Sequence, residues 1–454
     1  MPSTVILGSG IVGLSTAYYL ATLAPAASSA ATPSSSSASS KTASPPHEIH
    51  LVDPAPRLFA SASGNAAGFI AKDWFAPALA PLGALSFDLH RELAAAHDGR
   101  RRWGWAESVS YSLDRDGDED AEDEDAPDAD ADEREESGST SGDERESDWV
   151  VTGASRAQDA SSDSARSPAT VATEKFPRDG PAWLRASPTA LQAISDTSST
   201  GQVSPREFCQ FLLEECRRLG VRLHHPARAT ALLRNVDGSV RVRIEHMQTA
   251  GAPGNTREAE LPCTSLVLAA GCWTPQVYST LFPNAGRVPR ITPLAGWSTP
   301  TRERTLALPT HRAKGPAHCH AIFTSDPSGF SPELFSRATG ELWLGGLNSS
   351  TIPLPPLPPD SLARLEAVGR RLIGPVRVVR RALCFRPVSA TGRPIVARVH
   401  EADLGDGVKP RGGVFIATGH GPWGIALAPG TGRVVAEMVL GRRTSADVGQ
   451  LGRW

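Results

Sequence analysis

At 454 residues the chain has room for two or three domains. Its apolar content of 40% sits a little below the globular norm, so part of it is not expected to pack, and no run approaches the roughly twenty apolar residues of a membrane span. The net charge of −3 hides a split: Asp114 to Asp148 carries 19 acidic and 3 basic residues, and the dispersed net +13 elsewhere includes no Lys/Arg run of five, which argues against a nucleic-acid partner.

The first element is VILGSGIVGLSTAYYL, Val5 to Leu20. A short apolar strand turns through Gly8, Gly10 and Gly13 into a helix with small Ser15 and Ala17 on one side. The first glycine allows the tight turn, and the second lets backbone approach a pyrophosphate. The third lets helix and strand pack closely, with helix N–H groups facing the phosphates. The strand before and the apolar-periodic helix after give the motif the context that dinucleotide binding requires. The motif starts at the first strand, so no leader peptide is expected, and the final LGRW is not a peroxisomal address. Six cysteines without C-x-x-C spacing suit a reducing compartment. The expected location is cytoplasmic.

Residues 24–46 are almost entirely Ala, Ser, Thr and Pro and are expected to be a disordered insertion. EIHLVD, Glu48 to Asp53, reads as the second strand with an acid at its end. Asp53 lies 40 residues past Gly13, and 17 once the insertion is removed. That is near the spacing of a ribose-binding acid; a turn or N-cap acid before Pro54 is the other reading. Ser61 to Phe75 is rich in Gly, Ala and Ser, as where backbone nears a ligand. Leu79 to Ala96 reads as a core helix, and Trp103 and Trp105 as strand neighbours on one face. Residues 114–177 are expected to be a second, acidic and Ser-rich insertion, with folded chain returning near Trp183. Ser204 to Leu219 is an amphipathic helix, N-capped by Ser204, opened by Pro205 and stopped by Gly220. Cys209 and Cys216 are expected in its core face.

Val221–His225, Ser239–His246 and Thr264–Gly271 read as strands, as do Ile291–Trp297, His318–Thr324 and Glu341–Gly346. His318 and His320 share a strand face, but without a third ligand at sensible spacing no metal is expected. Arg380 to Val396 holds a hairpin. Gly412 to Gly441 then reads as a buried strand, a glycine-rich turn and a helix from near Gly430. A second glycine-rich strand–turn–helix points to a flavin, whose ring gains from a second helix N-terminus.

With these residues in view, the chain resembles the D-amino-acid-oxidase-like (DAO) FAD-dependent oxidoreductases. Within them it is most similar to a fungal and bacterial branch that shares CFRPVS…GRPIV and GHGPWGI…PGTG. The resemblance implies an α/β fold: a discontinuous Rossmann-like FAD domain (1–75, 196–290, 375–454) and an antiparallel-sheet substrate domain (76–195, 291–374). By position it assigns Gly8, Ser9, Gly10, Ile11, Gly13 and Asp53 to the ADP part of FAD. Ser63, Gly64 and Asn65 run past the pyrophosphate, and Ala270, Gly271 and Trp273 form a second contact. Gly419, His420, Gly421, Trp423, Gly424 and Ile425 form the turn over the flavin's pyrimidine edge.

Arg386 aligns with an arginine that clamps the substrate carboxylate in amino-acid oxidases, whereas no tyrosine aligns with the usual second contact. Cys384 falls where sarcosine oxidases link the flavin, but in a different local sequence, so it is expected to be unlinked. The implied activity is oxidation of an amine or amino-acid C–N bond by hydride transfer, with oxygen or another acceptor closing the cycle. A hydroxylase or pyridine-nucleotide reductase is a second reading, disfavoured by TGHGPWG in place of a G-D motif. A flavin-binding interaction protein using the acidic insertion is a third.

Overall fold

In the computed structural model, residues 1–24, 47–113, 180–185, 190–247, 257–303, 318–326, 330–352, 360–374 and 376–454 are described. The expected insertions, 24–46 apart from Ala24 and 114–177, lie outside them.

Apolar runs with no polar alternation belong in a sheet covered on both faces, and the dinucleotide half is built that way. Gly413–Thr418, Ser265–Leu268, Ser3–Leu7, Glu48–Val52 and Arg222–His224 run parallel in that order, and Ile395–Arg398 adds an antiparallel edge. Alternate residues of one strand serve opposite cores: Ile6 packs with Leu14, Phe415 and Val434, while Val5 and Leu7 pack with Leu266, Leu268 and Val414. The second face is covered by a three-stranded antiparallel sheet of Ala227–Arg234, Val240–His246 and Arg257–Pro262. Two of those strands had no clear sequence signal.

A larger sheet of ten strands forms the other half, with Ile291–Glu303 paired to Leu342–Ser349 on one side and to Ala382–Ser389 on the other. Four strands in segments expected on the dinucleotide side pair here instead: Phe69–Ala71, Thr200–Gln202, Val376–Val378 and Ala382–Ser389. Among the described residues no helix is long and apolar enough to cross a membrane.

Two local expectations are corrected. Trp103 ends a short helix, Gly99–Trp103, stopped by Gly104 at φ +67, so Trp103 and Trp105 are not strand neighbours. Trp103 stacks on Phe211 with centroids 4.3 Å apart, and Trp105 lies parallel to His90.

The closing helix starts at Gly424, not near Gly430, and runs to Val439 with Pro429 inside it. Proline there leaves the Ile425 carbonyl without its i+4 donor. A long helix from early in the chain, Ala80–Ala96, repairs the break with two residues one turn apart. His90 Nε2 lies 3.0 Å from the Ile425 carbonyl, so that nitrogen carries the proton and donates. The Gly430 N–H donates to Ser86 Oγ at 3.0 Å, and that hydroxyl donates to the Ala426 carbonyl at 2.6 Å. Gly432 meanwhile abuts the backbone of Ser15, where a Cβ would come within 2.4 Å. The small face of the first helix, Ile11–Leu23, is thus the seat of the closing helix.

Candidate functional site

The carboxyl ends of three adjacent parallel strands bring together the turns singled out in the sequence. Gly8 follows the first strand at φ +108, and a Cβ on it would meet the Ala269 carbonyl oxygen at 2.4 Å. Gly13 packs so close to that turn that a Cβ would stand 1.9 Å from the Gly8 carbonyl oxygen. The Ala270–Trp273 turn is tied to the closing strand by the Thr418 hydroxyl, which donates to the Gly271 carbonyl at 3.1 Å. Gly419 follows at φ +77.

Asp53 binds this turn from the neighbouring strand. Ser9 donates its backbone N–H and its hydroxyl to Asp53 Oδ2 at 2.8 and 2.7 Å, and the Ala55 N–H donates to Oδ1 at 2.9 Å. The Ile11 N–H donates to Ser63 Oγ at 3.0 Å, which brings the Ala62–Asn65 helix onto the glycine turn. Asn65 Nδ2 donates to the Ala60 and Ser61 carbonyls, fixing that short helix from within. Beyond it, Gln202 Nε2 and the buried Arg337 guanidinium donate to the carbonyls of Ala66 and Ala67. Neither Gln202 nor Arg337 carried a signal in the sequence.

On the far side of this loop, Phe69 stacks on Phe335 at 5.5 Å, and Trp423 meets Phe75 edge to face at 4.9 Å. His420 is buried and its Nε2 lies 3.0 Å from Thr431 Oγ1, so its side chain is committed to the closing helix. Burial pushes its pKa down to about 4, and it is neutral. Trp273, by contrast, is 42% exposed at the rim. His318 and His320 meet edge to face at 5.1 Å; among the described residues no group of three side chains could hold a metal.

Arg386 lies on the strand that adjoins these turns: Val388 bridges His420, and the Cys272 thiol lies 3.4 Å from the Phe385 carbonyl. In the register, Leu294 faces Arg386, while Gly296 faces Cys384 on one side and Asn348 on the other. These residues therefore share one face of the sheet. The Arg386 guanidinium crosses Gly296, where a Cβ would come within 2.7–2.9 Å of Nη1, Cζ and Nη2, and Nη1 donates to Asn348 Oδ1. Cys384 is buried beside it, and burial raises its thiol pKa against a smaller opposing pull from Arg386. A cavity of about 740 Å³ lined in part by Arg287, Arg290, Arg453 and Trp454 contains none of the glycine turns and comes near them only at Ser389 and Ile395, behind Gly419.

The donor set suits a dinucleotide. The glycine turn leaves no room for side chains; at the first helix Ser63 Oγ takes the Ile11 N–H, and among the described residues no side chain caps the other N-terminal N–H groups of that helix or those of the closing one. Both helix ends are thus open to anionic groups.

A family model described as FAD dependent oxidoreductase (DAO) matches residues 3–438. A protein of Schizosaccharomyces pombe named "Putative oxidoreductase C1F5.03c" is 25% identical over 470 residues, covering 98% of this chain and 96% of its own. Glycine oxidase from Geobacillus kaustophilus superposes with a TM-score of 0.64 at 17% identity, covering 99% of this chain and 98% of its own. L-Proline dehydrogenase from P. horikoshii does so with a TM-score of 0.64 at 14% identity, covering 99% and 96%. At such identities the structural likeness is one of fold.

Proposed function

The chain belongs to the DAO family of FAD-dependent oxidoreductases, and from that membership we propose that it oxidises the C–N bond of a carboxylate-bearing amine, an amino acid or its N-substituted relative. The observation that carries the substrate class is the Arg386 guanidinium. Among the described residues no carboxylate pairs with it, and its N–H groups other than the one on Asn348 have no partner and are not sealed from solvent. A planar, permanently charged fork left open in this way suits a carboxylate bound through two parallel hydrogen bonds. The glycine oxidase and the proline dehydrogenase that share the fold are named for amino-acid substrates, which supports the same reading.

In this reading Gly8 to Gly13, with Ser9, Gly10 and Ile11, hold the pyrophosphate, and Asp53 keeps that turn in shape and takes the ribose. Ser63, Gly64, Asn65, Ala270, Gly271 and Trp273 line the path toward the ring. Gly419 to Ile425 would hold the pyrimidine side of the ring, where the positive end of the closing helix would favour negative charge. FAD, when bound, would supply the two-electron acceptor for oxidation of the substrate's C–N bond to an imine. Water hydrolyses the released imine to a carbonyl compound and an amine or ammonia, and oxygen or another acceptor takes the electrons onward. Arg386 anchors the anionic end, and the Phe69, Phe75 and Trp423 side chains keep water from the reacting face.

Anaerobic mixing of the FAD-loaded protein with free amino acids, N-alkyl amino acids and uncharged amines tests this. Bleaching of the flavin absorbance by members with a carboxylate is the expected result. Bleaching by a pyridine nucleotide alone would contradict it. Asp53→Ala removes the acceptor for both Ser9 donors and is expected to weaken FAD binding about tenfold to a hundredfold, read by titrating apoprotein with FAD.

A further inference from the structure

The arginine side chain would not hold its place by itself. It leaves the strand Ala382–Ser389, passes over the next strand at Gly296, and ends on Asn348 of the third. Gly296 is the one residue type that leaves room for the guanidinium at that crossing, since any Cβ would strike three of its atoms. Asn348 supplies the acceptor at the end of the path, and its own Nδ2 donates to the Gly346 carbonyl at 3.2 Å. That second bond fixes which end of the amide faces the arginine. An amide oxygen orients the guanidinium without cancelling its charge, as a carboxylate in the same place would.

Resting on the reading of Arg386 as the substrate anchor, we propose that Asn348 is the specificity-determining positioning residue of the site. With Gly296 it locks the guanidinium across the sheet through Nη1. The Nε–Nη2 edge is left open and fully charged for a single substrate carboxylate. The uncharged partner is the selective element: it leaves the guanidinium charge uncancelled, so the site takes a monoanionic carboxylate and discriminates against the corresponding amide. An aspartate of the same size at 348 would satisfy the arginine itself and cancel that charge.

The test titrates FAD-loaded protein with acetate and with its uncharged isostere acetamide, read as perturbation of the flavin absorbance. The native protein is expected to bind acetate and to bind acetamide at least about tenfold more weakly. Asn348→Asp should raise the acetate Kd about thirtyfold and leave the acetamide value within about threefold. Asn348→Ser keeps a neutral acceptor and should stay within about threefold of native for acetate. Equal acetate losses in the Asp and Ser variants, or no loss in the Asp variant, would overturn the role of Asn348. That outcome differs from failure of the underlying reading, in which the native protein and Arg386→Met bind acetate alike.

Discussion

Arg386→Met is expected to lower kcat/KM for the carboxylate-bearing substrate about a thousandfold, with FAD content unchanged. Removing one partner of a largely desolvated charge pair typically costs about 3–5 kcal/mol, because the other charge is left unpaired. Arg386→Lys keeps the charge but loses the planar fork, and a smaller drop of about ten- to hundredfold follows. Steady-state kinetics alongside the ratio of flavin to protein absorbance separates binding of substrate from binding of cofactor. A variant that lost FAD, or that turned over the substrate normally, would make Arg386 a structural residue. Its bond to Asn348 and its half-buried setting on the strand are compatible with that outcome, which is why cofactor content is measured with rate.

The second large effect concerns the closing helix. Ser86→Ala combined with His90→Phe removes both donors that repair the break at Pro429 and leaves the Ile425 and Ala426 carbonyls buried without partners. Each such carbonyl costs about 1–3 kcal/mol, so a loss of about 3–5 kcal/mol is expected in chemical denaturation. His90 alone gives a pH signature. Burial lowers its folded pKa to about 4, from an ordinary 6.5. Between those values the unfolded chain binds the proton and the folded chain does not, so stability rises with pH. The contribution is complete above pH 6.5 and is lost as pH falls toward 4, amounting to about 3 kcal/mol for the one group. His420, also lowered to about 4 by burial, adds to the same slope. His90→Gln keeps an N–H donor without titrating, so it should retain most of the stability at pH 7 and flatten the acid limb by about one proton. An unchanged slope would mean that His90 is not neutral in the folded protein.

What could be read in the sequence was the chemistry written in neighbouring residues. Gly8, Gly10 and Gly13 announce a close turn because all three act within six residues, and the structure shows two of them pressed against backbone. The buried strands announced themselves by unbroken apolar runs. The start of the closing helix did not, since proline ordinarily ends a helix and the repair comes from Ser86 and His90, some 340 residues earlier. Trp103 and Trp105 misled for a related reason: two aromatics two apart fit strand alternation, and a left-handed Gly104 between them separates a helix end from an extended segment. Arg386 stood out through its CFRPVS setting. Its cradle did not, because Gly296 and Asn348 meet it only through cross-strand register, and nothing in their own neighbourhoods marks them.

An open, uncancelled Arg386 in this FAD-dependent fold is proposed to receive the substrate carboxylate. The most direct measurement is the anaerobic rate of flavin reduction by the best amino acid of the panel, set beside the rate with that amino acid's primary amide. Reduction by the acid is expected, with kred/Kd at least about a hundredfold lower for the amide, and loss of that preference in Arg386→Met. Equal reduction by acid and amide in the native protein would contradict it.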